Sequence, residues 1–324
     1  MEWPIVLVLC MVSMTAASKN GFDSKTIPNQ ILDCPSLDDR CKCQRGASQN
    51  LVFTCNVFEG EKVPLLSSNS SRHLNKFDLG ARSKVKVIQN YAFRNISTTI
   101  LSLNDLRALR IEQHAFSGMG DDVRYLHLDN NQFRSIPDNL FSELDSLIHL
   151  SLSNNKLYSL PPHFLRGLRN LRYLDLFGNQ LSSIPHGMFS QAQSLRSLTL
   201  HNNRLASIPS DAFSGLSELK EITLNDNYIT QISATIFNEN PKLERVNLDN
   251  NKVSLPSNLF GANPALTHLS LRGIGLTHLN DGFLSTTNML TQLDISNNNI
   301  YQFTATTFQN LPSLKVLYAN NNSL

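Results

Sequence analysis

Four of the five cysteines in this chain crowd into one short stretch, Cys34-Pro35 followed by Cys41, Cys43 and Cys55. Thiols so clustered either bind zinc as thiolates or oxidise in pairs to staple a small unit. Four cysteines allow three pairings, and a Cys41–Cys43 bond would be strained across one intervening residue. The fifth, Cys10, lies in an apolar run from Ile5 to Met14, which is too short to span a bilayer that needs about 20 residues. The small residues Thr15-Ala16-Ala17-Ser18 follow, so residues 1–18 read as a cleaved export signal, although Glu2 and the lack of Lys or Arg depart from the usual form. Export favours disulfides, and the absence of a neighbouring His counts against zinc.

Other reactive side chains form no catalytic signature. His-Glu-x-x-His, Gly-x-Ser-x-Gly and a phosphate-cradling Gly-x-x-x-x-Gly-Lys-Ser/Thr are all missing from the sequence. No enzyme activity, cofactor or metal is therefore expected, and His127, His149 and His201 lack any second sign of metal ligation. A formal net charge of +2 with 17% charged residues is far from the basic footprint of a nucleic-acid binder. Three sequons, Asn69-Ser-Ser71, Asn95-Ile-Ser97 and Asn321-Asn-Ser323, are expected N-glycan acceptors in an exported chain.

The elements that must position these groups come from self-similarity. From Val123 the frame L-x-x-L-x-L-x-x-N-x-L restarts at Leu147, Leu171, Leu195, Leu219 and Leu243, a period of 24 residues. Flanking copies begin at Leu74 and Thr98, then at Leu266, Leu290 and Leu314. Within each copy an L-x-L pair such as Leu198/Leu200 has the period-two alternation of a half-buried strand. Phe93, Phe116, Phe141, Phe189, Phe213, Phe237, Phe260 and Phe308 hold one slot late in the repeat, with Leu165 and Leu284 in two other copies. Their register with the repeat makes them a core spine rather than a ligand box. Asn131, Asn155, Asn179, Asn203, Asn227, Asn251, Asn298 and Asn322 form a second column, expected to satisfy backbone groups in the turn after each strand. One such unit cannot bury its apolar face alone, so the repeats must stack.

These motifs, with Ile136-Pro137, Leu160-Pro161, Ile184-Pro185 and Ile208-Pro209, resemble the typical class of extracellular leucine-rich-repeat proteins. The resemblance covers Leu74 to Leu324. It implies a solenoid of the α/β class, a right-handed horseshoe with a parallel β-sheet on the concave face and irregular or 3₁₀ segments on the convex face. The cysteine cluster is similar to that family's N-terminal cap, which implies the pairs Cys34–Cys43 and Cys41–Cys55. The expected organisation is signal 1–18, N-terminal segment and cap 19–73, and about eleven repeats over 74–324. Leu106 and Ile274 replace the Asn. Repeat one has an extra residue near Ser83-Lys84 and repeat eight lacks one near Val253-Ser254, so looser packing is expected over 252–275. The sequence stops in mid-repeat at Asn320 to Leu324. The chain is thus expected either to be part of a longer protein or to seal its last coil by a partner or self-association; membrane attachment would need a further C-terminal segment.

Positions three, five, seven and eight of the frame escape the core pattern. On the third to sixth repeats they carry Tyr125, His127, His149, Tyr173, Asp175, Phe177 and His201, aromatic and His residues that the core does not require. Neighbouring strands lie about 4.8 Å apart, so these form a candidate contact patch on the concave face. A second, charged patch follows at Glu221, Arg245, Asp249 and Arg272. The resulting expectation is extracellular protein recognition, as part of an adhesion, signalling or immune-type receptor that binds a protein ligand or cell-surface protein. The alternative is a secreted matrix protein resembling small leucine-rich proteoglycans, although Lys19–Asp33 offers no Ser-Gly for a glycosaminoglycan.

Overall fold

The computed structural model describes residues 41–45, 51–55, 60–63, 73–80, 83–119, 121–279, 283–304 and 306–324, all within the unit Asp33–Leu324. The export signal, Cys34 and Asn69 lie outside the described residues. The described chain is a parallel-strand solenoid. It opens with β1 (Cys41–Arg45) and β2 (Leu51–Cys55), an antiparallel pair. β3 (Leu74–Leu79), β5 (Thr98–Ser102), β7 (Tyr125–His127), β8 (His149–Ser151) and β9 (Tyr173–Asp175) follow in parallel. The sheet continues through β10 (Ser197–Thr199), β11 (Glu221–Thr223), β12 (Arg245–Asn247), β13 (His268–Ser270), β14 (Gln292–Asp294) and β15 (Val316–Tyr318). On the opposite side β4 (Val87–Ile88) pairs with β6 (Arg110–Ile111).

Register follows the repeat. Leu198 pairs with Leu174 on one side and Ile222 on the other, so like residues stack on like. The short eighth repeat keeps the alignment, with Val246 opposite Leu269. Away from the sheet the chain turns back through i to i+3 hydrogen bonds, such as Ala212 N to Pro209 O (3.0 Å) and Ser214 N to Asp211 O (3.1 Å). These isolated turns and the small outer ladder occupy the side where irregular or 3₁₀ segments were expected; no 3₁₀ helix forms among the described residues.

The core is the predicted one, with a correction to its aromatic spine. Phe93, Phe116, Phe141, Phe189, Phe213, Phe237 and Phe260 are buried and meet in runs, with ring centroids 5.8 Å apart in the pairs Phe213–Phe237 and Phe237–Phe260. Where the slot holds Leu165 or Leu284, the ring comes from the preceding residue. Phe164 meets Phe141 edge-on at 5.7 Å and Phe283 meets Phe260 at 5.8 Å. Phe308, on the coil that precedes the incomplete last repeat, is only half-buried.

The Asn column bridges coils. Asn203 Nδ2 donates to Leu200 O of its own coil (3.1 Å) and Leu176 O of the coil before (3.0 Å), while Oδ1 accepts from Leu181 N (3.0 Å). The same three-way link recurs at Asn155, Asn179, Asn227 and Asn251. At Ile274, which cannot serve, Asn298 Oδ1 of the next coil accepts from the N–H groups of Ile274, Gly275 and Leu276 at 2.9–3.1 Å. A second, shorter ladder had no place in the frame. Asn240 and Asn263 are fully buried near the outer turns, and both donate to carbonyls of preceding coils.

The short eighth repeat has a structural outcome. Between Lys252–Leu255 and Ile274–Leu279, where repeat eight is short, a cleft of about 340 Å³ opens on the turn side. The outer bridges joining Ser207, Gln231 and Ser254 end at this cleft. The residue just before each slot of the Asn column is constrained in its backbone. Asp105, Asn130, Asn154, Asn202, Asp226, Asn250, Asn297 and Asn321 all take positive φ between 52° and 58°, and Gly178 (φ 67°) and Gly273 (φ 66°) complete the column. Asn, Asp and Gly recur there because they tolerate the left-handed region.

Candidate protein-binding surface

The exposed face of the sheet carries the predicted aromatic residues, and stacking of the strands brings them together. Tyr125, His149 and Tyr173 occupy the same register on β7, β8 and β9. Their rings run in succession, Tyr125 to His149 at 6.3 Å and His149 to Tyr173 at 6.0 Å, and His127 joins from the side at 5.1 Å from His149. Tyr125 and Tyr173 keep 38% and 43% of their surface open, enough to meet a partner. Phe177 and His201 make a separate stacked pair, and Asp175 lies between the two groups in sequence and register. The period-two pattern explains the arrangement, because Leu126, Leu150 and Leu174 point into the core and turn their neighbours outward.

The surroundings keep the imidazoles uncharged. Burial holds the His149 imidazole down to about 4, with His127 adding to the effect and Asp129 opposing it. Burial also lowers His127, against the attraction of Asp129 at 3.9 Å, and lowers His201. Asp129 is itself engaged, accepting from the Ser151 hydroxyl and from Ser153 N (2.9 Å) and Oγ (3.0 Å). Burial pushes the Asp175 carboxyl up to about 6 despite the hydrogen bond from Phe177 N (2.9 Å), and repulsion from Asp129 adds to the rise. At neutral pH the strip therefore offers neutral imidazoles beside its two tyrosine rings.

The charged patch is looser. Glu221 and Arg245 stand side by side in register on β11 and β12. Asp249 Oδ1 accepts from Ser270 Oγ (2.6 Å) and Arg272 N (2.7 Å), and burial pushes its carboxyl up to about 6. Arg272 Nε reaches the Asn297 amide oxygen at 2.9 Å once that amide is oriented to accept. Asp249 is thus tied to the backbone and hydroxyl of the following coil, while the Arg272 side chain is exposed.

The remaining predicted groups are distributed along the solenoid. Cys41 is bonded to Cys55, directly opposite it across β1 and β2. Cys43 is disulfide-bonded as well, and its expected partner Cys34 lies outside the described residues. Asn95 is exposed at a turn with φ 64°, and Asn321 is exposed at the far end of the sheet face. No group of three or more His, Cys, Asp or Glu side chains converges as metal ligands among the described residues. One residue of the strip escaped notice in the sequence. Ile100 on β5 pairs in register with Tyr125 and extends the apolar row by a strand. It holds position three of the second repeat, so the frame itself could have found it.

A family model described as a BspA-type leucine-rich-repeat region matches residues 182–315 in six copies. A second, described as leucine-rich repeat, matches residues 121–181, so together they cover more than half of the chain. The chain belongs to the leucine-rich-repeat family. No curated protein matches the sequence. Among solved structures, the repeat protein is similar to a chain of the octameric complex of Latrophilin 3, Unc5D and the leucine-rich-repeat part of FLRT2, with 27% identity and a TM-score of 0.67. That match covers 89% of the repeat protein and 84% of the other chain. A chain of the Toll–Spätzle complex of Drosophila has the same fold at 22% identity and a TM-score of 0.67, over 82% of the repeat protein but 36% of that chain. A chain of the TLR13–ssRNA13 complex matches at 25% identity and a TM-score of 0.55, over 78% and 44% of the two chains. The repeat protein therefore spans less than half the length of these last two. Its Cys41–Cys55 bond fits the cysteine cap of such solenoids.

Proposed function

We propose that the repeat protein is an extracellular protein-recognition module, acting as the ectodomain portion of an adhesion, signalling or immune-type receptor. The carrying observation is the unbroken row of rings from Tyr125 through His149 to Tyr173 on the exposed sheet face. Large rings on a rigid scaffold supply contact area at low entropic cost and are common energetic anchors of protein interfaces. Phe177 and His201 extend the anchor surface, and Glu221 and Arg245 lie beyond it as a polar margin. The cap disulfide supports an oxidising, extracellular setting. The likeness to a chain from a complex of cell-surface proteins supports a protein ligand.

The test begins with a binding screen of the secreted chain against cell-surface and matrix proteins. For any binder, the triple change Tyr125→Ala, Tyr173→Ala and Phe177→Ala should abolish capture while circular dichroism stays native, since anchors of this kind commonly contribute upwards of about 2 kcal/mol each. Changes at Arg166 and Arg169, on the turn side, should leave it intact. Undiminished binding by the triple variant would remove the aromatic strip as the interface.

A further inference from the structure

We infer that the arginine column bordering the aromatic strip docks an acidic polypeptide segment of the partner, an inference that rests on the protein-recognition reading above. Arg124, Ile148, Arg172, Arg196 and Lys220 each stand immediately before a strand of the sheet. The backbone stacks them one above another. Ile148 N donates to Arg124 O, Arg172 N to Ile148 O, Arg196 N to Arg172 O and Lys220 N to Arg196 O, each at 2.8 Å. Four cations in five successive coils thus share one edge, at a spacing set by the strands at about 4.8 Å.

The column ends where its charge is neutralised. Lys220 Nζ donates to Glu244 Oε1 at 2.6 Å, and Glu244 holds the next place in the column. Arg124, Arg172 and Arg196 make no ion pair among the described residues. Arg124 and Arg172 are exposed and Arg196 is half-exposed. Each of the first two directly precedes a tyrosine of the strip, Tyr125 and Tyr173. A partner seated on the rings therefore brings its own groups up to guanidinium forks that hold no carboxylate at ion-pair distance, and such forks match carboxylates bidentately.

The flanks decide which anion fits. On the turn side the column is bounded by the carboxylates Asp122, Asp145 and Glu218, with Asp122 and Asp145 exposed. A sulfated polysaccharide, charged along its whole length and on every side, would meet those carboxylates as it lay over the arginines. A peptide that turns carboxylates to Arg124, Arg172 and Arg196 and apolar side chains to Tyr125 and Tyr173 would not. Charge complementarity of this kind steers association and fixes register beside an apolar anchor.

A random-peptide phage library panned on the secreted full chain tests this. The enriched peptides should be rich in Asp and Glu next to apolar residues. Their binding should fall at least about tenfold in Arg172→Glu/Arg196→Glu and between about 50 and about 500 mM salt. The milder Arg172→Gln/Arg196→Gln should move it in the same direction, which covers any failure of the reversal to fold. Arg134→Glu/Arg204→Glu, the same charge change beyond the strand ends, should have little effect. No enrichment, enrichment without acidic bias, or indifference to both Arg172/Arg196 pairs overturns the inference. So does retention on heparin that depends on Arg172 and Arg196 while no acidic peptide is selected. Peptides without acidic bias that are lost in the Tyr125/Tyr173/Phe177 triple variant would keep protein recognition and remove only the arginine column. Acidic peptides retained by that triple variant would keep the column and remove the aromatic strip.

Discussion

Phe177 and His201, on adjacent coils, stack with ring centroids 4.3 Å apart and planes inclined by 25°. Their contact ties the loop leaving β9 to the one leaving β10. A double-mutant cycle of Phe177→Ala and His201→Ala in urea unfolding should give a coupling of about 0.5–1.5 kcal/mol, the usual worth of an aromatic pair. Because burial lowers the His201 pKa, the coupling should stay flat above the ordinary imidazole value of about 6.5. Additive single effects would mean that the rings do not meet in solution.

Asn203 should matter to stability although it is buried away from the exposed face. Asn203→Ala leaves Leu176 O, Leu200 O and Leu181 N without their side-chain partner in a site 5% exposed. The expected loss is about 1–3 kcal/mol, the cost of buried backbone groups left unpaired. Equilibrium denaturation measures it, and a change of a few tenths or less would contradict the coil-to-coil bridge.

Asn202, its neighbour, is required by the backbone instead. With φ at 54° and an exposed side chain, it should accept Gly within about 0.5 kcal/mol. Asn202→Val should cost about 1–2 kcal/mol, because a β-branched residue is strained in the left-handed region. Thermal unfolding of the two variants side by side reads the difference.

Asp175 sets a pH dependence. Its folded pKa is raised by burial to about 6 from an ordinary value near 3.9, so its favourable contribution is full below the unfolded value and is lost as pH rises through about 6. Asp175→Asn keeps an oxygen for Phe177 N and removes the buried charge. It should stabilise the protein by about 1–3 kcal/mol at pH 7.5 and by almost nothing at pH 4. His149 acts oppositely. Its pKa is depressed to about 4, so its contribution is full above about 6.5 and is lost as pH falls through about 4. His149→Phe should therefore flatten the acid limb of the wild-type stability curve. Urea midpoints across this range, for wild type and both variants, decide the matter; a pH-independent gain in Asp175→Asn would exclude the buried-charge explanation.

The cap makes a chemical prediction. Secreted, folded protein should show no free thiol at Cys41, Cys43 or Cys55 when alkylated under denaturing conditions and weighed by mass spectrometry. Reduction of Cys41–Cys55, which closes a loop with a sequence separation of 14, should cost about 3 kcal/mol. Labelling of Cys55 in folded material would refute the disulfide.

Burial in a solenoid is dictated by position within the repeat, so the columns of Leu198, Phe213 and Asn203 were legible from spacing alone. The same logic indicated which side chains face outward, Tyr125 and Tyr173 among them. It stopped at what those side chains do to one another. That His149 sits between two tyrosines, that Phe164 and not Leu165 carries the spine past Phe141, and that Asn298 serves three N–H groups above Ile274 depend on the coils on either side. The left-handed column at Asn130, Asn202 and Gly178 emerged only with the backbone, because sequence records residue type and not φ. The elevated Asp175 and depressed His149 pKa values belong to tertiary structure for the same reason. They arise from water excluded by residues about 24 positions away, which only stacking brings within reach.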